Sequence, residues 1–126
     1  MTAAVSTPSQ AMNERVRRYY DLVDADDVPG LIALFATDAV YHRPGYAPLV
    51  GHGDLNRFYT ADRVIVSGRH TVTSLVTGEH EVAVMGEFAG VLKDGREVAL
   101  RFADFFTLDE RLLFARRDTY FFAPLV

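Results

Sequence analysis

The sequence predicts an α+β domain in which three N-terminal helices pack on one face of a curved, mainly antiparallel sheet. Up to Arg63, apolar residues recur mostly at helical spacing; after Arg63 the chain reads as long strands; and Lys93-Asp94-Gly95-Arg96 is a hairpin turn between two of them. A curved sheet closed over by helices makes a cone-shaped barrel, and a cone holds a ligand.

Residues 1–10 (MTAAVSTPSQ) are small and polar and are expected to form a loose arm, leaving 11–126 as a single domain. Val16, Tyr19, Tyr20 and Val23 form the apolar stripe of a first helix from Met12 to Val23. Asp26 and Asp27 precede Val28-Pro29 as cap and first-turn residues do, and a second helix follows through Leu31, Ile32, Leu34 and Phe35. A short strand from Ala39 to Arg43 ends at Pro44-Gly45, the stretch 45–53 is a loop, and Asp54 caps a third helix carrying Leu55, Phe58 and Tyr59. Four strands complete the domain: Val64–Val76, Glu81–Leu92, Glu97–Leu108 and Leu112–Phe122.

Composition narrows the function. The net charge of −4, from 13 basic and 17 acidic residues, argues against a general nucleic-acid surface. Without cysteine there is no disulfide, thiolate nucleophile or Cys-ligated zinc. The four histidines show no metal-site spacing, so no metal or other cofactor is expected. Neither a signal peptide nor a run of roughly 18 apolar residues is seen, which predicts a cytoplasmic protein without a membrane partner.

The informative anomaly lies in the third long strand. Val98, Leu100, Phe102, Asp104, Phe106 and Leu108 share one face, and five of the six suit a core. An unpaired carboxylate does not stay ionised there, because desolvation favours the neutral form. Strict alternation in the last strand likewise puts Leu112, Phe114, Arg116, Asp118, Tyr120 and Phe122 on one face. Two acids on neighbouring apolar strands predict a lined pocket, with Phe102 and Tyr120 on its wall and the Tyr20 hydroxyl within reach. The alternative for Asp104 is a structural pair with an arginine; for Asp118 it is a surface network with Arg116 and Arg117. Tyr41 and Arg43 share one parity of the first strand, and His42 has the opposite one. The remaining face of the last strands, with Ala99, Arg101, Ala103 and Phe105 beside Ala115, Arg117, Thr119 and Phe121, is apolar enough to predict a homodimer.

Three segments carry a family resemblance: Leu34-Phe35-Ala36-Thr37-Asp38-Ala39-Val40, Gly51 followed by Leu55 and Phe58-Tyr59, and Leu113 to Phe121 (LFARRDTYF). In this order and spacing the chain resembles the nuclear transport factor 2-like superfamily, and within it the SnoaL-like cyclases and ketosteroid isomerase-like proteins. The resemblance implies a cofactor-free acid–base enzyme, an isomerase, dehydratase or cyclase, acting on a small apolar polyketide- or terpenoid-like molecule. It implies catalytic roles for Asp104, Asp118 and His70. His70 is similar in setting to the histidine of scytalone dehydratase, with Asp24 near that branch's pocket aspartate. Arg43 stands where ketosteroid isomerase has its catalytic base, and an arginine is no base at neutral pH, so that mechanism is not expected. Arg43 and Tyr41 are expected to orient a substrate oxygen. Epoxide opening of the limonene epoxide hydrolase type, with Asp104 and Asp118 as acid and base, is one alternative. A non-catalytic module binding a small ligand in the same cavity is the other.

Overall fold

Thr7 begins the first helix: its hydroxyl accepts from the Gln10 amide, and the Gln10 side chain accepts from the Thr7 amide in return. A computed structural model describes residues 7–123, and in it α1 runs Pro8–Asp24. Residues 8–10 are therefore helix rather than the expected loose arm; positions 1–6 of that arm lie outside the described residues. The stripe Met12, Val16, Tyr19, Tyr20 and Val23 is buried. Asp27 caps the short α2 (Val28–Ile32) by accepting from the Gly30 amide.

The second helix ends earlier than the sequence predicts, and β1 starts earlier, at Phe35 rather than Ala39, running to His42. β2 is a two-residue strand, Leu49–Val50, inside the expected loop, and it pairs antiparallel with β1. Helix α3 is Gly51–Arg57, so Asp54 sits in its first turn and accepts from the Val50 amide instead of capping. A π-helical turn, Phe58–Asp62, extends it. The long strands are β3 (Ile65–Thr77), β4 (Glu81–Leu92), β5 (Glu97–Leu108) and β6 (Phe114–Phe121).

The six strands lie in the order β2-β1-β6-β5-β4-β3, antiparallel except for the β1/β6 pair. This is a curved, mainly antiparallel sheet under three helices, as predicted, but it is not closed into a barrel. No helix among the described residues is long and apolar enough to cross a membrane.

One irregularity redirects the function. The β5/β6 register shifts between Thr107/Leu108, so that Leu108 opposes Phe114 while Thr107 already opposes Arg116. The extra residue is a bulge in β6, and a one-residue slip exchanges the two faces. Phe114 stays inside at 0% exposed, and Arg117 and Thr119 follow it in at 3% and 4%, while Tyr120 turns out at 56%. Asp118 and Tyr120, expected in the pocket, therefore lie on the opposite face, and Arg117, Thr119 and Phe121 replace them.

Glycines shape the inner face. An added Cβ at Gly68 or Gly90 would meet the Phe88 ring within 2.5 Å, so both residues make room for that ring. At Gly86 a Cβ would stand 2.5 Å from Phe102 and 2.7 Å from the Thr71 carbonyl, and main chain cannot step aside as a rotamer can. Gly86→Ala is expected to cost about 1–3 kcal/mol through overpacking, measured by urea denaturation.

Candidate active site

β5 carries Asp104 to the centre of the inner face, fully buried, where it opposes Thr119 of β6. Both of its carboxylate oxygens are engaged. Oδ2 accepts from Arg117 Nη2 at 2.8 Å and from the Tyr20 hydroxyl, and Oδ1 accepts from the Thr119 hydroxyl. Burial alone pushes this carboxyl up, but the Arg117 charge and the three hydrogen-bond donors outweigh it and hold the group below the usual carboxylate range. Asp104 is thus an ionised carboxylate behind the wall of the site, and its partner is Arg117.

Arg117 is the centre of an aromatic cage. Its guanidinium carbon lies 4.5 Å from the ring centroids of both Tyr19 and Tyr41. Nη1 donates to the Tyr19 and Tyr59 hydroxyls at 2.5 and 3.2 Å. Tyr41, fully buried, shares a 3.1 Å hydrogen bond with Thr119 and accepts from Arg43 Nη1 at 3.1 Å. Because Thr119 gives its proton to Asp104, the phenol is the donor in the Tyr41–Thr119 bond. Burial pushes the Tyr41 phenol up, but Arg117 and Arg43 outweigh it, so its pKa is lowered.

His70 reaches the inner face from β3 and is gripped by the end of α1. Its Nδ1 is 2.6 Å from Asp24 Oδ1, and its backbone amide donates to Asp24 Oδ2 at 2.9 Å. The two bonds fix both the ring and the strand. With Nδ1–H committed to the carboxylate, the Nε2 lone pair is the free end of the imidazole. The ring packs against Phe88, Tyr20 and Phe102 at centroid distances of 4.6, 5.3 and 5.4 Å. Burial lowers the His70 pKa more than its bond to Asp24 raises it, so the ring is neutral at pH 7.

These groups meet around a cavity lined by Arg43, Ile65, His70, Phe88, Phe102, Arg117, Thr119 and Phe121. Its free volume is about 10 Å³, the room of one water. Phe88 also lines a second hollow of about 110 Å³ with Asp24, Arg63 and Gly68. The polar wall holds two guanidiniums, an imidazole and a hydroxyl, with no carboxylate. The Nε groups of Arg43 and Arg117 are buried without a protein acceptor.

Of the residues singled out in the sequence, His70, Arg43 and Phe102 stand on this wall, and Asp104, Tyr41 and Tyr20 form the layer behind it. Asp118 instead stands on the far side of the sheet, 2.9 Å from His42 Nδ1 and 2.8 Å from Arg116 Nε. The two-acid pocket is not formed, and with it goes the acid–base pair required for epoxide opening by Asp104 and Asp118. Among the described residues no three His, Cys, Asp or Glu side chains cluster as metal ligands.

Comparison with known proteins places this geometry. The family model for the SnoaL-like domain matches residues 16–115. The chain belongs to the SnoaL-like domain family. No curated protein matches the sequence. Solved structures share the SnoaL-like chain's fold at low identity. An NTF2-like protein of unknown function from Burkholderia pseudomallei superposes with a TM-score of 0.81 at 18% identity, covering 88% of this chain and 90% of its own. SalBIII, an epoxide hydrolase/cyclase-like enzyme in pyran ring formation in the polyether salinomycin, gives 0.80 at 17% identity over 90% and 92%. TerC, co-crystallised with polyporic acid, gives 0.78 at 18% over 88% and 91%. At these identities the likeness concerns the fold.

Proposed function

We propose that this SnoaL-like protein is an acid–base enzyme that removes a proton from carbon next to a carbonyl of a small, mostly apolar molecule. The observation that carries the reading is His70 on the cavity wall, neutral, oriented by Asp24, and sharing the wall with two guanidinium N–H groups that have no protein acceptor. In the step, Nε2 takes the proton, the C–H electron pair moves into the carbonyl, and the enolate oxygen receives the Arg117 N–H. Returning the proton at another carbon gives isomerisation. Attack of the enolate carbon on a second carbonyl, with the His70 proton passed to the new alkoxide, closes a ring. Asp104 takes no proton here: it holds Arg117 and Thr119 in place and is a positioning residue. The SnoaL-like domain and the ring-forming SalBIII among its structural relatives support an enzyme of this class.

Such a substrate needs more room than about 10 Å³. Phe88 lines both the cavity and the 110 Å³ hollow beside Asp24, and a substrate of this class is expected to displace its ring and occupy both. Deuterium wash-in tests the reading. With 2-tetralone and cyclohexanone in D₂O, the protein is expected to exchange the α-protons faster than an equal concentration of imidazole. Exchange no faster than imidazole with both compounds argues for the non-catalytic binding module instead.

The outer face supports a homodimer. Met85, Phe105, Tyr120 and Phe122 are 40–56% exposed there, next to a shallow groove of about 410 Å³ lined by Arg69, Thr71, Glu87, Ala89, Ala99 and Arg101. None of the cavity's polar groups lines this groove. Light scattering is expected to give twice the mass of the chain, and Phe105→Glu to return it to one.

A further inference from the structure

The charges around the cavity do not balance, and the imbalance describes the ligand. Arg117 is offset by Asp104. Arg43 is half-buried, donates to the Tyr41 hydroxyl, and stacks on Phe58 and Phe121 at 5.3 and 5.0 Å. Among the described residues no carboxylate stands within 4.0 Å of it. Asp24 is committed to His70, and both Asp104 oxygens are taken. One cation on the cavity wall therefore has no carboxylate counter-ion, which leaves it open to an anionic ligand.

We infer that the natural occupant of this cavity carries an oxygen acid already ionised at neutral pH, a carboxylate or an acidic enol, held between Arg43 and Arg117. Two acceptor-less Nε–H groups, one on each guanidinium, suit a group with two lone-pair-bearing oxygens. A water satisfies an N–H but leaves the charge. Ile65, Phe88, Phe102 and Phe121 surround the arginines with apolar surface, which suits an organic body better than an inorganic anion. The inference rests on the acid–base reading for the location of the site, but binding of the anion needs no turnover.

The test is a titration of ¹⁵N-labelled protein followed through the arginine Nε–H signals. Benzoate is compared with benzamide, and 1,3-cyclohexanedione with cyclohexanone, so that the two arms separate a carboxylate from an acidic enol. At least one acid is expected to bind about tenfold or more tightly than its neutral partner. Arg43→Gln is expected to abolish that difference, and Arg116→Gln, on the opposite face of the sheet, to preserve it within about twofold. Equal binding of acid and neutral partner, or no shift with either acid up to about 10 mM, overturns the inference. Discrimination without deuterium exchange keeps the anion site and removes the enzyme. Exchange without discrimination does the reverse.

Discussion

Asp104→Asn is expected to lower stability by about 3–5 kcal/mol, because it leaves the buried Arg117 cation without its counter-ion. The shape of the side chain is kept, so the loss reports charge and hydrogen bonding rather than a cavity. The amide has one acceptor oxygen where three donors converge, and its NH₂ must face Thr119 or the Tyr20/Arg117 pair. Replacing both charges, as in Asp104→Leu with Arg117→Met, is expected to recover much of the loss. Urea denaturation of the two variants checks this. A loss below about 1 kcal/mol for the single change contradicts a buried pair of this kind.

The same groups set the acid limit of the fold. His70 has a lower pKa folded than its unfolded value of about 6.5, so the unfolded chain takes up this proton first and stability declines as pH falls below about 6.5. Asp104 is also lowered when folded. Its contribution is present above the unfolded value of about 3.9 and is lost as pH falls further, through the folded pKa. Stability measured by urea denaturation is therefore expected to decline over two pH windows, and the first decline is absent in His70→Gln.

His70→Gln is expected to reduce turnover by about 10²–10⁴, the span of a lost general base. Asp24→Asn removes the orienting carboxylate but leaves the ring, and is expected to cost about 10–100-fold. The pH profiles separate these roles. Wild-type kcat/KM should be level near neutrality and fall on the acid side at a pKa below about 6.5. In Asp24→Asn that inflection should move lower still, since the bond and charge that raise the pKa are gone. Steady-state kinetics on whichever compound shows deuterium wash-in make the measurement. An unchanged profile and rate in His70→Gln removes the proposed base.

Much of this was legible in the sequence, and the misses have physical reasons. Alternation along residues 97–108 put Asp104 inside because that strand is regular. Residues 112–122 misled because the bulge in β6 exchanges faces between Phe114 and Arg117, and both alternation classes contain apolar and charged residues. Alternation set Arg116 on the face of Asp104 and Arg117 on the other; the bulge brings Arg117 to Asp104 instead. A capping box was readable at Thr7 and Gln10, but the surrounding small residues read as a loose arm. The roles of Gly68, Gly86 and Gly90 are not legible in the sequence, since only the fold shows the rings of Phe88 and Phe102 lying over them.

The central claim is that His70 is a neutral base with its proton on Nδ1 and its lone pair on Nε2. Long-range ¹⁵N–¹H correlation of the His70 ring, followed across pH, tests it without a substrate. The account predicts a protonated Nδ1, an unprotonated Nε2 at pH 7, and a pKa below about 6.5. A proton on Nε2 at neutral pH, or a doubly protonated ring there, contradicts it.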